Sequence, residues 1–203
     1  MFHVKHEGWH QAEDLAGVTL PLGAVDRLEA YEAALIERAA PMGMIAASDV
    51  PRLRERHILD SIRAVPCLPD TGLVCDLGSG AGLPGLALSI VRPDLRWVLV
   101  EVRRNRARFL EDTIASLGLE GVVVHARRAE TFRDRVDACT ARAYAPPSKS
   151  WASAERILEP RAPLVYWAGT SFEVSRDVPE GVKSVLFATP GLARSGPLVI
   201  MTR

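Results

Sequence analysis

Glycine recurs at alternate positions in one stretch, Asp76-Leu-Gly-Ser-Gly-Ala-Gly-Leu-Pro-Gly85, which follows a short apolar run and opens a helix-like segment. Glycines let the backbone turn tightly and approach a ligand without a Cβ in the way. The first turn of the following helix adds free N–H groups. In open α/β sheets, loops at the carboxyl ends of strands hold ligands, so this stretch predicts a nucleotide-type binding site.

Three ligand classes fit such a loop, and the flanking residues favour one of them. A phosphate-binding P-loop needs Gly-Lys-Ser/Thr after the glycines, and the chain lacks it. Gly80, Gly82 and Gly85 make a dinucleotide fingerprint, G-x-G-x-x-G, which is weak on its own. S-adenosylmethionine carries an ammonium group, and Asp76, two residues before Gly78, offers it a carboxylate. We therefore expect S-adenosylmethionine as the cofactor, with Asp76, Gly78, Gly80 and Gly82 at its site.

Further candidate residues end the later strands. A carboxylate such as Glu101, at the end of the second strand, can accept hydrogen bonds from both ribose hydroxyls of NAD or of S-adenosylmethionine. Ala129 and Glu130 follow the third strand, where Glu130 is either an acceptor for adenine or a solvated acid. Arg142 ends the fourth strand, where it can position cofactor or substrate, although a surface salt bridge explains it equally well.

The hydrophobic pattern divides the chain into two zones. Residues 1–70 are predicted to form an N-terminal tail and a helical cap, with helical periodicity over 22–40 and again from about 48 to 66. Residues 71–203 alternate short apolar runs with helical segments. Strands are predicted at 73–75, 97–100, 122–124, 136–141, 164–167, 185–187 and 198–201, and helices at 83–91, 104–117 and 148–158.

This alternation predicts the fold class. Strands that are apolar on both faces, separated by amphipathic helices, imply a largely parallel sheet covered on both sides. We predict an α/β fold with a doubly wound, mostly parallel, seven-stranded Rossmann-like sheet. An antiparallel C-terminal hairpin, turning near Pro190-Gly191, ends the sheet, and the helical extension precedes it. Residues 71–203 are expected to bind S-adenosylmethionine as one structural unit.

Composition limits the function classes. Of the 203 residues, 48% are hydrophobic and 25% are charged, which excludes a mainly disordered chain. No apolar run approaches the ~20 residues of a transmembrane helix, and the N-terminus lacks the apolar core of a secretory signal. The three cysteines form no CxxC pair, and no cysteine or acidic cluster joins His3, His6 and His10. We expect a cytoplasmic monomer with reduced cysteines and no metal.

Basic residues cluster in three runs although the net charge is zero, with 25 basic and 25 acidic side chains. The runs lie before the first strand, after the second and after the third. Arginine forks suit phosphate pairing, so the runs predict RNA contacts, although each run alone is also explained as a solvated face. The candidate RNA contacts are Arg52, Arg54, Arg56, His57, Arg103, Arg104, Arg106, Arg127 and Arg128.

Several blocks together resemble a known family. The glycine stretch resembles motif I of class I methyltransferases. From about residue 25 to the C-terminus, the chain resembles the bacterial 16S rRNA guanine-N7 methyltransferases, also called glucose-inhibited division protein B. The blocks that carry this resemblance are Arg56-His-Ile-Leu-Asp-Ser61, Gly82-Leu-Pro-Gly85, Ser89-Ile-Val-Arg-Pro93, Arg108-Phe-Leu110 and Ala141-Arg-Ala143.

The resemblance implies an activity and a set of contacts. The activity is methylation of N7 of guanine 527, in the decoding-region loop of 16S rRNA of the small ribosomal subunit. Guanine N7 is an unprotonated lone pair that can attack a sulfonium methyl directly, so we expect catalysis by orientation and name no catalytic base. The family's S-adenosylmethionine contacts fall on Gly78, Leu83, Glu101, Ala129, Glu130 and Arg142.

The chain departs from the family pattern in three places. Residues 1–22 have no counterpart, and Glu37-Arg-Ala-Ala-Pro-Met-Gly-Met-Ile45 replaces a Trp-Asn-x-x-x-Asn-Leu stretch. The fifth strand ends in Trp167-Ala-Gly169 where the family has Leu-Lys-Gly, so a lysine that is a candidate RNA or catalytic contact is absent. Two other functions stay open: a methyltransferase acting on another substrate, and a cofactor-binding RNA-interaction protein without turnover.

Overall fold

A computed structural model of the chain describes residues 9–187 and 196–203, which fold around one seven-stranded sheet. The strands are β1 (Leu73–Leu77), β2 (Arg96–Val100), β3 (Val122–His125), β4 (Ala138–Arg142), β5 (Leu164–Trp167), β6 (Lys183–Phe187) and β7 (Leu198–Thr202). The helices are α1 (His10–Ala16), α2 (Ala24–Ala34), α3 (Asp60–Ile62), α4 (Gly85–Val91), α5 (Arg104–Leu117), α6 (Pro147–Glu155) and α7 (Val174–Asp177).

The strand order across the sheet is β3-β2-β1-β4-β5-β7-β6. β1 to β5 pair in parallel, whereas β7 pairs antiparallel with both β5 and β6. The predicted doubly wound sheet and its antiparallel end are therefore confirmed, while the turn expected at Pro190-Gly191 lies outside the described residues. The strand order reverses between β1 and β4, and the crevice at their carboxyl ends is where such sheets hold ligands.

Alternation along the strands supplies two hydrophobic cores. On β2, Trp97 and Leu99 face the core that contains α2, α4 and α5, while Val98 and Val100 face the core that contains α6. Successive strand residues point to opposite faces, so a strand covered on both sides is apolar throughout. The covered sheet gives the loops at its carboxyl edge a rigid base.

Residues 9–16, at the start of the described chain, pack into the first of these cores. The Trp9 side chain is 1% exposed, and Ala12 and Leu15 of α1 are buried beside it. The Arg54 guanidinium lies 4.4 Å from the centre of the Trp9 ring. Hydrophobic periodicity does not reveal this packing, because α1 is only seven residues long and its buried face is mostly alanine.

The second helix of the cap is irregular. Ala47–Arg52 forms a 3-10 turn that contains Pro51, and Arg54–Leu59 forms a π-helical segment that continues into α3. A proline interrupts regular α-helix because it lacks an N–H group and its ring crowds the preceding turn. Single π-helical turns occur often at functional sites.

None of the helices in residues 9–187 and 196–203 has both the length and the apolar composition that a membrane span needs.

Candidate cofactor loop and arginine cavity

The loop after β1 has a backbone that depends on glycine. Gly78, Gly80 and Gly82 have φ angles of 69°, 57° and 92°, in the left-handed region that other residues avoid. A Cβ on Gly82 would lie 2.5 Å from the Leu86 side chain, and one on Gly85 would lie 2.4 Å from Leu99. The loop therefore packs as closely as its backbone allows, directly at the reversal point of the sheet.

Asp76 organises this loop from inside the protein, which corrects its expected role beside an ammonium group. Its side chain is 0% exposed. One carboxylate oxygen accepts a hydrogen bond from Gly85 N at 3.2 Å, and the other accepts one from Thr140 Oγ1 at 2.7 Å. Burial raises the Asp76 pKa to about 6, against the opposing effect of these hydrogen bonds. Asp76 thus joins the loop to β4 and presents no surface to a ligand.

Glu101 fastens the same loop to the end of β2. Its two carboxylate oxygens accept hydrogen bonds from Gly80 N at 3.0 Å and from Arg103 N at 2.8 Å. A carboxylate has about four acceptor positions, so each oxygen keeps capacity for a ribose hydroxyl. The structure places Glu101 where the sequence predicted it and adds a second role, the support of Gly80.

Two aromatic residues that the sequence did not single out for function contact the loop. Tyr31 of α2 is fully buried and donates a hydrogen bond from its hydroxyl to Ala81 O at 2.9 Å. The Tyr144 ring covers Gly78, where a Cβ would lie 2.5 Å from it. The helical pattern of α2 indicated only that Tyr31 faces the core, and no local signal reveals its partner 50 residues away.

The other expected cofactor contacts surround the same edge. Leu83 is buried within the loop. Ala129 and Glu130 lie in a 3-10 turn after β3 and, with Ser153 and Arg156, border a small hollow of about 160 Å³. The Glu130 side chain is exposed. These positions agree with a site that extends from β1 towards β3, as the adenosine half of a cofactor requires.

A larger cavity of about 540 Å³ opens at the carboxyl ends of β4 and β5. Such a volume is within the ~300–1,000 Å³ range of small-molecule sites. Its charged and histidine lining comes from Arg52, Glu55, Arg56, His57, Asp60, Arg63 and Arg142, four arginines against two carboxylates. Ala143, next to Arg142, is a non-glycine residue at φ 52°, and such backbone strain is typical of functional loops. The cavity and the glycine loop are neighbours because β4 pairs with β1.

Asp60 connects the cavity wall to β4, to β5 and, through Arg63, to the segment before β7. Its carboxylate lies 2.8 Å from Arg63 Nε and 3.4 Å from Arg142 Nη2. Its main-chain oxygen accepts a hydrogen bond from Trp167 Nε1 at 2.9 Å, and Arg63 continues to Gly196 O at 2.9 Å. One carboxylate therefore balances two largely buried guanidinium groups, and the local charge is positive.

Arg142 also binds the π-helical segment directly. It donates hydrogen bonds to Arg56 O at 3.0 Å, to His57 O at 3.2 Å and to His57 Nδ1 at 3.0 Å. His57 Nε2 lies 3.2 Å from Asp49 Oδ2. Burial, followed by the charge of Arg142, lowers the His57 pKa below its usual 6.5. The expected link between Arg142 and a carboxylate is thus with Asp60, within the protein.

The predicted RNA contacts do not all lie in comparable settings. Arg52 and Arg56 line the cavity, and Arg56 also pairs with Asp49 at 2.7 Å. Arg54 does not face this edge, because its guanidinium pairs with Glu32 and stacks on Trp9; it joins the helices of the cap. Both ring nitrogens of His57 already have partners. The exposed candidates at the ends of β2 and β3 are Arg103, Arg104, Arg127 and Arg128.

Arg106 lies closer to the glycine loop than the other residues of its run. It is half-buried, and its guanidinium is 3.8 Å from the position of a Cβ on Gly80. Among the residues that the structure describes, no ion pair involves it. Arg106 therefore borders the cofactor loop and the arginine run together.

Comparison with known proteins identifies the family. A family model described as rRNA small subunit methyltransferase G (GidB) matches residues 24–175. The chain belongs to this family. The ribosomal RNA small subunit methyltransferase G of Acidothermus cellulolyticus is 39% identical over 155 residues, which cover 76% of this chain and 68% of that protein. The protein of the same name from Clavibacter sepedonicus is 37% identical over 164 residues, 80% of this chain and 75% of that protein.

The fold agrees with the GidB assignment. A solved SAM dependent methyltransferase from Aquifex aeolicus superimposes with a TM-score of 0.58 at 17% identity, covering 76% of this chain and 95% of that one. The family resemblance stated from the sequence blocks is therefore confirmed. Within residues 9–187 and 196–203, no three His, Cys, Asp or Glu side chains are grouped to hold a metal ion.

Proposed function

We propose that this member of the GidB family transfers a methyl group from S-adenosylmethionine to N7 of a guanine in 16S rRNA, the decoding-region guanine of the 527 type. The observation that carries the proposal is the arginine-lined cavity beside the glycine loop, at the reversal point of the sheet. The loop supplies a cofactor site, and the cavity supplies room and positive charge for a nucleotide. We further propose that the protein acts in the cytoplasm as a monomer without a metal.

The residues present fit the cofactor. Glycine at 78, 80 and 82 permits the left-handed backbone of the loop, and Glu101 keeps acceptor capacity for ribose hydroxyls. Ala129 and Glu130 border the hollow where we expect the adenine, and Leu83, buried within the loop, is the expected apolar contact. Arg142, which already contacts Asp60 and the π-helical segment, is our candidate cation for the cofactor's carboxylate. Asp76 supports the loop from below, so the ammonium group must find another partner.

Orientation accounts for the chemistry. When bound, S-adenosylmethionine supplies a sulfonium methyl that the N7 lone pair takes in line, with the S–C electron pair returning to sulfur. The product guanine is cationic, and methylation at N7 displaces no proton, so a general base is not needed. His57, the histidine of the cavity, has both ring nitrogens in hydrogen-bond contact. Positioning alone is worth up to ~7–11 kcal/mol.

Exposed arginines on both sides of the site supply the contacts to RNA phosphates. Arg103, Arg104, Arg127 and Arg128 follow β2 and β3, and Arg52 and Arg56 lie across the cavity. The carboxyl ends of parallel strands share one edge of the sheet, so both groups face the same ligand. Each phosphate that they neutralise adds about −0.7 to the salt slope on single-stranded RNA. Ala168, where the family has a lysine, lines the same cavity as Arg63 and Arg142.

The test is methyl transfer from labelled S-adenosylmethionine to small ribosomal subunits that lack the modification, with naked 16S rRNA in parallel. Chain cleavage specific for N7-methylguanine maps the site. We expect label at one decoding-region guanine. Arg142→Gln should lower the rate at least about tenfold, since a hydrogen bond to a charged group is worth ~1.5–3 kcal/mol. Arg96→Gln, an exposed arginine at the amino end of β2, is the matched control.

The failures of this experiment are informative in different ways. No label in either substrate, with cofactor binding intact, would move the assignment to a methyltransferase on another substrate or to a binder without turnover. Label at a position other than N7 would contradict the mechanism without a base. An acid–base role for one histidine would appear as a turnover pKa near 6–7 that a single His→Ala change abolishes.

A further inference from the structure

We propose that His57 is a positioning residue for Arg142: an unprotonated His57 Nδ1 holds the guanidinium, and Asp49 fixes that form of the ring. The inference rests on the proposed function in one respect, that Arg142 serves a bound cofactor. Neither the family match nor the sequence blocks assign this role to the histidine. The affinity of the site for its cofactor would then depend on the protonation of His57.

The hydrogen-bond geometry specifies the tautomer. Arg142 Nη2 lies 3.0 Å from His57 Nδ1. A guanidinium has donors and no acceptor, so Nδ1 must be the nitrogen that carries no proton. His57 Nε2 is 3.2 Å from Asp49 Oδ2, and a carboxylate accepts, so Nε2 carries the proton. The chain Asp49–His57–Arg142 therefore has one consistent set of donors and acceptors.

Charged groups from every neighbouring element act on this ring. Asp49 comes from the 3-10 turn before the π-helical segment, and Arg142 comes from β4. Arg56, on the same segment as His57, pairs with the other oxygen of Asp49 at 2.7 Å. Behind Arg142 stands Asp60, which is shared with Arg63. Asp49 favours the imidazolium, whereas burial and the two arginines oppose it and keep the pKa below its usual value.

Protonation of His57 would remove the acceptor and place a second cation 3.0 Å from Arg142. The guanidinium must then move away from Nδ1. This movement also disturbs its hydrogen bonds to the main-chain oxygens of Arg56 and His57. The added positive charge also attracts an anion. However, the lost contact is a directional hydrogen bond to a charged group, so we expect its loss to outweigh this attraction. Cofactor affinity should therefore decrease as the pH is lowered.

The first experiment measures the ring directly and does not depend on function. Two-dimensional ¹H–¹⁵N correlation spectra of protein labelled at histidine give the tautomer and the pKa of each ring. We expect His57 as the Nε2–H form at neutral pH, with a pKa below 6.5. A proton on Nδ1, or a pKa at or above the ordinary value, would overturn the inference whatever the protein catalyses.

The second experiment uses two amides that each imitate one half of the imidazole. In His57→Asn, an oxygen replaces Nδ1 and can still accept from Arg142. In His57→Gln, an N–H replaces Nε2 and can still donate to Asp49, but the acceptor is lost. Binding of S-adenosylhomocysteine is measured by calorimetry between pH 5.5 and 8, after melting curves have shown that both variants are folded. His10→Asn, at the exposed start of α1, is the control.

We expect the glutamine variant to bind about tenfold more weakly than wild type at pH 7.5, and the asparagine variant to retain most of the affinity. Below pH 6.5 the affinity of the wild type should decrease, and that of the asparagine variant should decrease less. Comparison of the two removes the contribution of Asp76, which titrates in the same range. Equal losses in both variants, or identical pH profiles, would show a merely structural histidine. Failure of the wild type to bind at any pH would refute the proposed cofactor instead.

Discussion

The glycine loop and the arginine cavity lie at one edge of one sheet, but contacts of different range build them. In the loop, Gly85 bonds to Asp76 nine residues away, and Gly80 bonds to Glu101 at a separation of 21. In the cavity, the hydrogen bond between Arg142 and Arg56 O spans 86 residues, and the one between Trp167 and Asp60 spans 107. The loop is thus closed by local bonds to its own backbone and held by longer ones from Thr140 and Tyr31, at separations of 64 and 50 residues, whereas the cavity exists only after the cap has docked.

The two regions also treat charge differently. The carboxylates of the loop, Asp76 and Glu101, are satisfied by main-chain N–H and hydroxyl donors, and within the described residues neither accepts a hydrogen bond from a guanidinium group. In the cavity, Asp60 alone balances the guanidinium groups of Arg63 and Arg142. A site for a bound nucleoside requires fixed geometry, while a site for RNA requires uncompensated positive charge. We expect mutations in the two regions to differ accordingly.

The largest expected effect is in the cavity. Asp60→Asn keeps the size of the side chain but leaves Arg63 and Arg142 without their counter-charge. Removal of one partner of a buried ion pair costs about 3–5 kcal/mol of unfolding free energy, which urea denaturation measures. Asp112→Asn removes the partner of Arg38 from an exposed pair and should cost below about 1 kcal/mol. If the two variants were equally stable, Asp60 would not be the centre of the cavity wall.

The next effect tests the close packing of the loop. In Gly82→Ala, the new methyl group at φ 92° would meet Leu86 at 2.5 Å and the Tyr31 hydroxyl at 2.9 Å. Strain and overpacking together cost about 2–4 kcal/mol, and binding of S-adenosylhomocysteine should be lost with the loop geometry. Gly169→Ala meets no atom within 4 Å and should change stability by less than about 0.5 kcal/mol. A loop that tolerates alanine at 82 as well as at 169 would contradict the structure.

The same difference in range decides what sequence reasoning can reach. The glycines, the strand that precedes them and Glu101 are spaced by local geometry, so their positions in the fold follow from the order of strands and helices. Parallel strands also bring Arg142 to the correct edge. The sequence pattern could not show that Asp76 faces inward, because a carboxylate beside a glycine loop has the same one-dimensional signature whether it contacts a ligand or a backbone N–H.

The cavity could not be predicted from the sequence, for a related reason. The Arg56-His-Ile-Leu-Asp-Ser61 block marked the family, but nothing local says that Asp60 meets Arg142 or that His57 lies between Asp49 and Arg142. The arginine run suggested one basic face for Arg52, Arg54 and Arg56. The irregular helical segment instead turns Arg54 towards Trp9 and the others towards the cavity. Such assignments need three-dimensional packing.

A pH experiment separates the two regions further. The Asp76 pKa is about 6 in the folded protein and 3.8 in an unfolded chain, so the folded state binds the proton more tightly. Stability from this group is therefore present at low pH and lost as pH rises from about 4 to 6. Relative to Asp76→Asn, the wild type should gain roughly 2.4 kcal/mol between pH 7 and pH 4, from ~1.4 kcal/mol for each unit of pKa difference that this range covers. Parallel pH profiles of the two proteins would contradict a buried, raised carboxyl.

The smallest effect concerns the one hydrogen bond that joins the cap to the loop. Tyr31→Phe leaves Ala81 O buried without its donor, which should cost about 1–2 kcal/mol and weaken cofactor binding without altering the cavity. Tyr144→Phe removes a looser 3.3 Å contact with Ser153 and serves as the control. Burial, with the nearby Asp76, raises the Tyr31 pKa well above 10, so the loss should be the same at pH 7 and pH 9. A loss that varied with pH over this range would mean that the hydroxyl is not buried, and the loop would then be independent of the cap.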